Sequence, residues 1–277
     1  TGAVLTVLTG IVIIGGVKSI AKVCEKLVPF MAGFYIIGCI IILFLNGSYV
    51  LPALKLIVTS AFTPQAAGGG FIGSTVMMAI RFGIARGLFT NEAGLGSAPI
   101  VDAAASTRNP VRQGLIAMTG VFWDTVIVCA LTGLVLVSSI LRNPDGMTDL
   151  SGGALSSAAF ANIPVVGPIV LTVGLICFAW STILGWSYYG ERCWVYLCGQ
   201  KAIMPFRIIY TLVVFVGSVM TLDAVWGIAD ILNACMAFPN LVALLGLSGV
   251  IAAETKKYLF SNNMDAWSED EIPVVDK

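Results

Sequence analysis

The sequence predicts an all-α, polytopic membrane protein, and three observations carry that reading. Apolar runs recur that are long enough, at 1.5 Å per residue, to cross about 30 Å of hydrocarbon. Charged residues make up only 11% of the 277 positions and hydrophobic ones 58%, with a mean hydropathy of +0.95; a soluble domain carries roughly 25% charged residues. Lys and Arg collect in alternate connections, as membrane topology requires.

Taken in order, the first run is Ala3 to Val17, followed by Lys18, Lys22 and Lys26 in an expected short loop. The chain begins with Thr1 in an apolar stretch, with no Met start or basic leader before it, so residue 1 is not expected to be the native start. The second run is Val28 to Asn46, with a turn from Gly47 to Pro52. The third, Ala53 to Ile80, is too long for one straight span and suits two half-helices with an unwound joint. A polar connection runs from Arg81 to Arg112, and the fourth run covers Val111 to Ile140. Leu141 to Ile163 reads as a polar loop and Val165 to Tyr189 as the fifth run. Glu191 to Lys201 reads as a short connection and Ile203 to Leu222 as the sixth run. The last stretch, Asp223 to Thr255, is apolar and interrupted at Pro239.

Placing the Lys18 connection in the cytoplasm puts Lys18, Lys22, Lys26, Arg81, Arg86, Arg108, Arg112, Arg192, Lys201 and Arg207 on that side. Lys55 and Arg142 remain outside, a strong bias of the positive-inside kind. Lys256 and Lys257 also fall inside if the last stretch crosses once. A straight helix over that stretch would be about 50 Å long, more than one span needs. A kink or turn is therefore expected at Pro239, with Leu241 to Thr255 crossing the lipid and Asp223 and Asp230 in an outer vestibule or against protein. Seven spans result. The core is expected over residues 1–257, and 258–277, acidic and without apolar periodicity, as a disordered cytoplasmic tail.

Composition also excludes chemistry. There is no His, so imidazole can serve neither as base nor as ligand nor as pH switch within these residues. The seven cysteines contain no CxxC pair and read as small buried hydrophobes, not disulfides or metal ligands. An intramembrane enzyme would need a nucleophile with a base, which is hard to assemble without His. A channel would need a continuous polar pore, which the apolar spans do not supply. No nucleic-acid partner is expected.

Four stretches can carry function. TPQAAGGG, Thr63 to Gly70, could hardly be worse for a continuous helix. Pro64 lacks a backbone N–H, and each Gly costs a helix about 1 kcal/mol relative to Ala. In hydrocarbon the freed backbone groups need partners. Two readings stand: a broken helix forming a substrate site, or a Pro kink with glycines at a close helix contact.

FAWSTILGWSYYGER carries Ser181 and Thr182 in an apolar helix, with Trp186 one turn beyond Thr182 on the same face. Two hydroxyls and a carbonyl suit a hard cation; the alternative is hydroxyls bonded back onto the preceding turn. Asp124, inside VFWDTVIVCALTG, costs roughly 2.5–3.5 kcal/mol at a helix centre on insertion scales and must find a partner. A transport role and a structural pairing, with Arg81 as one candidate partner, are equally open. GLFTNEAGLGSAP lacks the GK[ST] ending and the preceding strand of a phosphate loop. It reads instead as a tight connection, with Thr90 or Asn91 capping a short helix.

Together, TNEAGLGSAP (Thr90 to Pro99), SAFTPQAAGGG and STILGWSYYGER closely resemble the alanine/glycine:cation symporter family, the sodium:alanine symporters, over about residues 3 to 258. The resemblance implies an inverted-repeat, LeuT-type fold. The seven spans would then be the fourth to tenth core helices, and the first three would be missing from this sequence. It implies symport of alanine or glycine with Na⁺ by alternating access in a bacterial or archaeal plasma membrane, the C-terminus cytoplasmic. H⁺-coupled amino-acid permeation is the alternative, and a channel is less favoured. The partners implied are the amino acid, the lipid bilayer and the missing N-terminal helices. The family pattern places Phe62, Thr63, Gln65 and Gly68 around the substrate at the break, with Thr182 and Trp186. Ser181 and Thr182 would hold Na⁺, assisted by a carbonyl near Phe178, and Trp186 would close the pocket against larger side chains.

Overall fold

The computed structural model describes residues 2–61, 87, 89–92, 94–107, 109–147, 150, 152–261 and 263–264. All regular structure among the described residues is helical: α1 (Gly2–Ile14), α2 (Val17–Leu45), α3 (Gly47–Ala61), α4 (Ala98–Asp102), α5 (Pro110–Val121), α6 (Ala130–Arg142), α7 (Gly152–Phe160), α8 (Val166–Cys198), α9 (Ile203–Val219) and α10 (Leu222–Thr255). A π-helical segment, Phe122–Cys129, joins α5 to α6, and a π turn, Lys256–Phe260, extends α10. Among the described residues, five continuous helical runs are long and apolar enough to cross a membrane: Val17–Leu45, Pro110–Arg142, Val166–Cys198, Gln200–Val219 and Leu222–Phe260. The apolar α1 is shorter, at 13 residues. The expected break at 63–70 lies outside the described residues.

The chain divides into two compact units, Thr1–Ile84 with Val126–Thr221, and Ala85–Thr125 with Leu222–Lys277. In the first, α8 is the central helix: α2, α1, α9 and α7 all pack on it, while α3 packs on α6. Tyr35, Cys39 and Ile42 recur at helical spacing on α2 and form one buried stripe. They meet Val135 of α6, Ala159 and Phe160 of α7, and Val170 and Leu171 of α8. A second apolar cluster joins Val12 and Ile13 of α1 to Ile20 and Leu184, flanked by Trp180 and Tyr210. Glycine permits a close α2–α8 approach at Gly38, where a Cβ would collide with Val170.

A polar network closes one end of this unit. Asn46, 1% exposed, donates to Ser138 Oγ at 3.3 Å and Ser139 Oγ at 3.1 Å and accepts from Arg142 at 2.8 Å. Asn162 donates to Ser139 Oγ at 2.9 Å. The Asn46 side-chain oxygen and both hydrogens of its amide are thus satisfied, as burial demands.

In the second unit, Asn109 caps α5 by accepting from the backbone of Val111 at 3.1 Å and of Arg112 at 3.0 Å. Pro110 occupies the first helical position, where no N–H is needed. Asn109 also donates to the Met264 carbonyl at 3.1 Å, and Gln113 donates to Asp102 at 2.7 Å, linking α5 to α4. Gly94 and Gly96 hold positive φ, 80° and 79°, as the expected tight connection needs. Its helix starts elsewhere than anticipated: α4 follows Ser97, whose hydroxyl caps no backbone N–H and donates to Glu92 at 2.8 Å.

Several helix ends also differ from the sequence reading. Lys18, Lys22 and Lys26 lie on the first turns of α2, not in a loop. Long cationic side chains can reach water from a helix without ending it, whereas Gly16, at φ 75°, does end the preceding segment. Glu191 and Arg192 likewise lie within α8, which continues to Cys198 and stops at Gly199, φ 78°. The stretch 47–52 is the start of α3, and the 141–163 connection contains α7. Pro239 sits inside the 34-residue α10. The helix is therefore uninterrupted there, the absent Pro N–H removing one hydrogen bond from a ladder of many. Helical structure reaches Phe260 with Tyr258 buried, three residues into the segment expected to be disordered. Cys129, Cys193, Cys198 and Cys235 are exposed in this chain, while Cys39 is buried; all seven are free thiols.

Candidate functional site

The middle of α8 concentrates polar atoms that an apolar span would otherwise avoid. Ser181 Oγ donates to the Phe178 carbonyl at 3.0 Å, and Thr182 Oγ1 donates to the same carbonyl at 2.8 Å. Two hydroxyls and one carbonyl thus converge on a single turn. With both hydrogens directed at the carbonyl, both hydroxyls keep lone pairs for another ligand. The back-bonded geometry anticipated as the ordinary alternative is therefore present, and it leaves three neutral oxygens side by side. Ser181 is half-buried and Thr182 exposed.

The turn is backed by α2. Met31 Sδ lies 3.6 Å from Ser181 Oγ. One turn further along α2, the Tyr35 ring meets Phe178 edge-on, centroids 5.4 Å apart, and stacks on Phe160 at 5.8 Å. The Tyr35 hydroxyl and Thr132 Oγ1 are 2.9 Å apart. Thr132 gives its only hydrogen to the Val128 carbonyl at 2.8 Å, so Tyr35 is the donor in that pair. Trp186, one turn beyond Thr182, packs edge-to-face with Tyr189, centroids 5.5 Å apart. Of the residues named from sequence, Ser181, Thr182 and Trp186 therefore stand in succession along one helix. Phe62, Thr63, Gln65 and Gly68 lie outside the described residues.

Asp124 occupies the π-helical segment Phe122–Cys129. Its Oδ2 and the adjacent Thr125 Oγ1 are buried with no hydrogen-bond partner among the described residues. A π segment interrupts the regular ladder and commonly marks functional positions. Arg81, its candidate partner, lies outside the described residues.

Sequence reasoning missed one buried ion pair. Arg207 of α9 grips Glu191 of α8 with two bonds, Nε to Oε2 at 2.6 Å and Nη2 to Oε1 at 3.2 Å. A third bond runs from its Nη1 to the Ile14 carbonyl at the end of α1, at 3.0 Å. A signal for it existed: an acidic residue in a long apolar helix needs a cation close by. Met31 and Tyr35 gave no such signal, because apolar and aromatic residues at helical spacing read as core.

These features define an integral membrane protein, with several lipid-length helices and a turn of neutral oxygens inside one of them. More narrowly, residues 1–271 match the sequence model of the sodium:alanine symporter family, and the chain belongs to that family, one of transporters and not of enzymes. It is 50% identical over 258 residues to the sodium/alanine symporter AgcS of Methanococcus maripaludis, covering 93% of this chain and 56% of that protein. It is 50% identical over 275 residues to an uncharacterized transporter of Haemophilus influenzae, covering 98% and 59%. A probable sodium/glutamine symporter, GlnT of Bacillus subtilis, is 35% identical over 259 residues, covering 93% and 53%. The chain thus spans little more than half the length of these relatives.

Proposed function

We propose that this chain supplies part of the binding site of a symporter that couples Na⁺ to uptake of a small neutral amino acid, alanine or glycine. The observation that supports it most is the convergence of Ser181 Oγ and Thr182 Oγ1 on the Phe178 carbonyl. A hard cation prefers oxygen ligands, and this turn brings three within hydrogen-bond distance of one another through the Phe178 carbonyl. Family membership and the sodium/alanine symporter among the relatives support the coupling ion and the substrate.

In this reading the core is residues 1–257, a LeuT-type arrangement of seven spans that are the fourth to tenth core helices, followed by a cytoplasmic tail, 258–277. The helix break around Thr63 to Gly70 frees carbonyls for the substrate ammonium, with Phe62, Thr63, Gln65 and Gly68 around it. The substrate carboxylate meets backbone N–H groups of the first core helix. Thr182 faces both the ion and the substrate, and Trp186 limits the pocket to small side chains. Na⁺ and amino acid favour the same conformation, so each raises the affinity of the other by the same factor, and alternating access carries both across.

A second reading, H⁺ coupling, has one observation in its favour: Asp124 Oδ2 is buried with no hydrogen-bond partner among the described residues. Reconstitution separates the two. Full-length protein in sealed vesicles should accumulate labelled alanine on an inward Na⁺ gradient at uniform pH. Accumulation driven by a pH gradient with no Na⁺ present would overturn the Na⁺ reading. Failure to accumulate either alanine or glycine under both gradients would overturn the substrate.

A further inference from the structure

We propose that Met31 of α2 is a positioning residue for the cation, holding the hydrogen of Ser181 when Na⁺ takes the Phe178 carbonyl. The inference rests on the Na⁺ reading above. Phe178 O is oversubscribed. It has two lone pairs and accepts from Thr182 at 2.8 Å and Ser181 at 3.0 Å. Phe178 also lies inside the continuous α8, whose ladder directs a backbone N–H at the same oxygen. A cation that binds there must displace a donor, and it repels any hydroxyl hydrogen pointing its way.

Of the two hydroxyls, Ser181 makes the longer bond and has somewhere else to go. Met31 Sδ is 3.6 Å from Ser181 Oγ, within reach of a weak thioether acceptor. Rotation about the Ser181 Cβ–Oγ bond moves the hydrogen from Phe178 O to Met31 Sδ. That rotation frees a lone pair on the carbonyl and turns the Ser181 lone pairs toward the cation. Thr182 Oγ1 has only the Phe178 carbonyl as its acceptor among the described residues. Packing keeps the Met31 thioether within reach of Ser181. The residue is 7% exposed and lies one turn from Tyr35, whose ring packs on Phe178. No backbone moves in this switch, so a cation can enter and leave without repacking α2 against α8.

Met31→Leu keeps the side-chain volume and removes the acceptor. In the full-length protein, half-saturating Na⁺ for alanine uptake should rise roughly twofold to tenfold, the range for losing one hydrogen bond, with thermal stability unchanged. Met31→Gln, which restores an acceptor, should recover most of the loss. The decisive arm is the Ser181→Ala background, where Met31→Leu should add nothing, because the hydrogen it holds is gone. Met31→Ile serves if the Leu variant does not fold, and Na⁺-induced thermal shift of purified protein reads binding without transport. Wild-type Na⁺ dependence in Met31→Leu, with Ser181→Ala impaired, overturns this inference and leaves the cation site standing. An equal effect of Met31→Leu with and without Ser181 also overturns it, since packing is then the cause. Wild-type Na⁺ dependence in Ser181→Ala itself overturns the site reading.

Discussion

Glu191 and Arg207 form a bidentate ion pair, 2.6 and 3.2 Å, between the ends of α8 and α9, with Glu191 only 4% exposed. The same guanidinium reaches the Ile14 carbonyl, an acceptor that α1 leaves open at its end. Three helices are therefore tied by one side chain. A planar fork of donors suits this geometry; a lysine would meet the carboxylate as a point charge without the bidentate match.

Removing Arg207 leaves a buried carboxylate whose nearest cation is the half-exposed Arg192, 3.9 Å away, and removing Glu191 strands the Arg207 guanidinium at the helix contact. Arg207→Ala should destabilise the protein by about 3–5 kcal/mol, the range for breaking a buried pair. Glu191→Gln should be milder, since the amide still accepts one bond. Thermal unfolding in detergent measures both. The double change Glu191→Leu with Arg207→Leu should cost much less than Arg207→Ala. Equal losses would mean that packing, not the stranded carboxylate, sets the stability.

Two glycines on α2 make an internal contrast. A methyl on Gly38 collides with Val170, a β-branched side chain with little rotamer freedom. Gly38→Ala gains about 1 kcal/mol of helix propensity but incurs overpacking of about 1–3 kcal/mol, so it should be neutral to destabilising. Gly33 has nothing within 4 Å of its added Cβ, and Gly33→Ala should stabilise by up to about 1 kcal/mol. A melting temperature raised as much by Gly38→Ala as by Gly33→Ala would contradict the close α2–α8 approach.

The architecture was legible where physics is one-dimensional. Run lengths and charge scarcity point to lipid-spanning helices, and the spacing of Ser181, Thr182 and Trp186 places them in succession on one helix whatever surrounds it. Helix ends were less legible. Lys18, Lys22 and Lys26 look like a loop by charge, yet they are good helix formers and nothing among them stops α2; Gly16 and Gly199 are the actual stops. Contacts between distant residues were not legible at all. Glu191 announces a need for a cation but does not say that Arg207 supplies it. Met31 announces nothing, because its role depends on a serine 150 positions away.

Ser181→Ala and Thr182→Ala test the cation turn itself. Each removes one hydroxyl and no core volume of consequence, so folding should be nearly unaffected. Half-saturating Na⁺ for alanine uptake should rise in both, by roughly tenfold or more where a charge-assisted contact worth about 1.5–3 kcal/mol is lost. Half-saturating alanine at saturating Na⁺ should change less for Ser181→Ala than for Thr182→Ala, which is also assigned to substrate. Unaltered Na⁺ dependence in both variants would remove the cation from this turn.

In the proposed function Trp186 sets selectivity, and its packing shapes the experiment. The indole sits one turn beyond Thr182 and rests edge-on against Tyr189, centroids 5.5 Å apart, so it is supported from the α8 side and not freely swinging. A rigid wall excludes a larger side chain by collision, which costs more than a larger pocket loses by leaving a small substrate loosely held. Trp186→Ala should therefore admit larger neutral amino acids as competitors of labelled alanine while weakening alanine itself only several-fold. Trp186→Phe should fall between, since it keeps a ring against Tyr189 but shortens the wall. The relative named as a probable sodium/glutamine symporter makes glutamine a natural member of the competitor series. The measurement is inhibition of alanine uptake by a series of neutral amino acids of increasing volume, on protein whose melting temperature matches the parent. Selectivity unchanged across that series would leave Trp186 as packing for Tyr189 and place the size limit elsewhere.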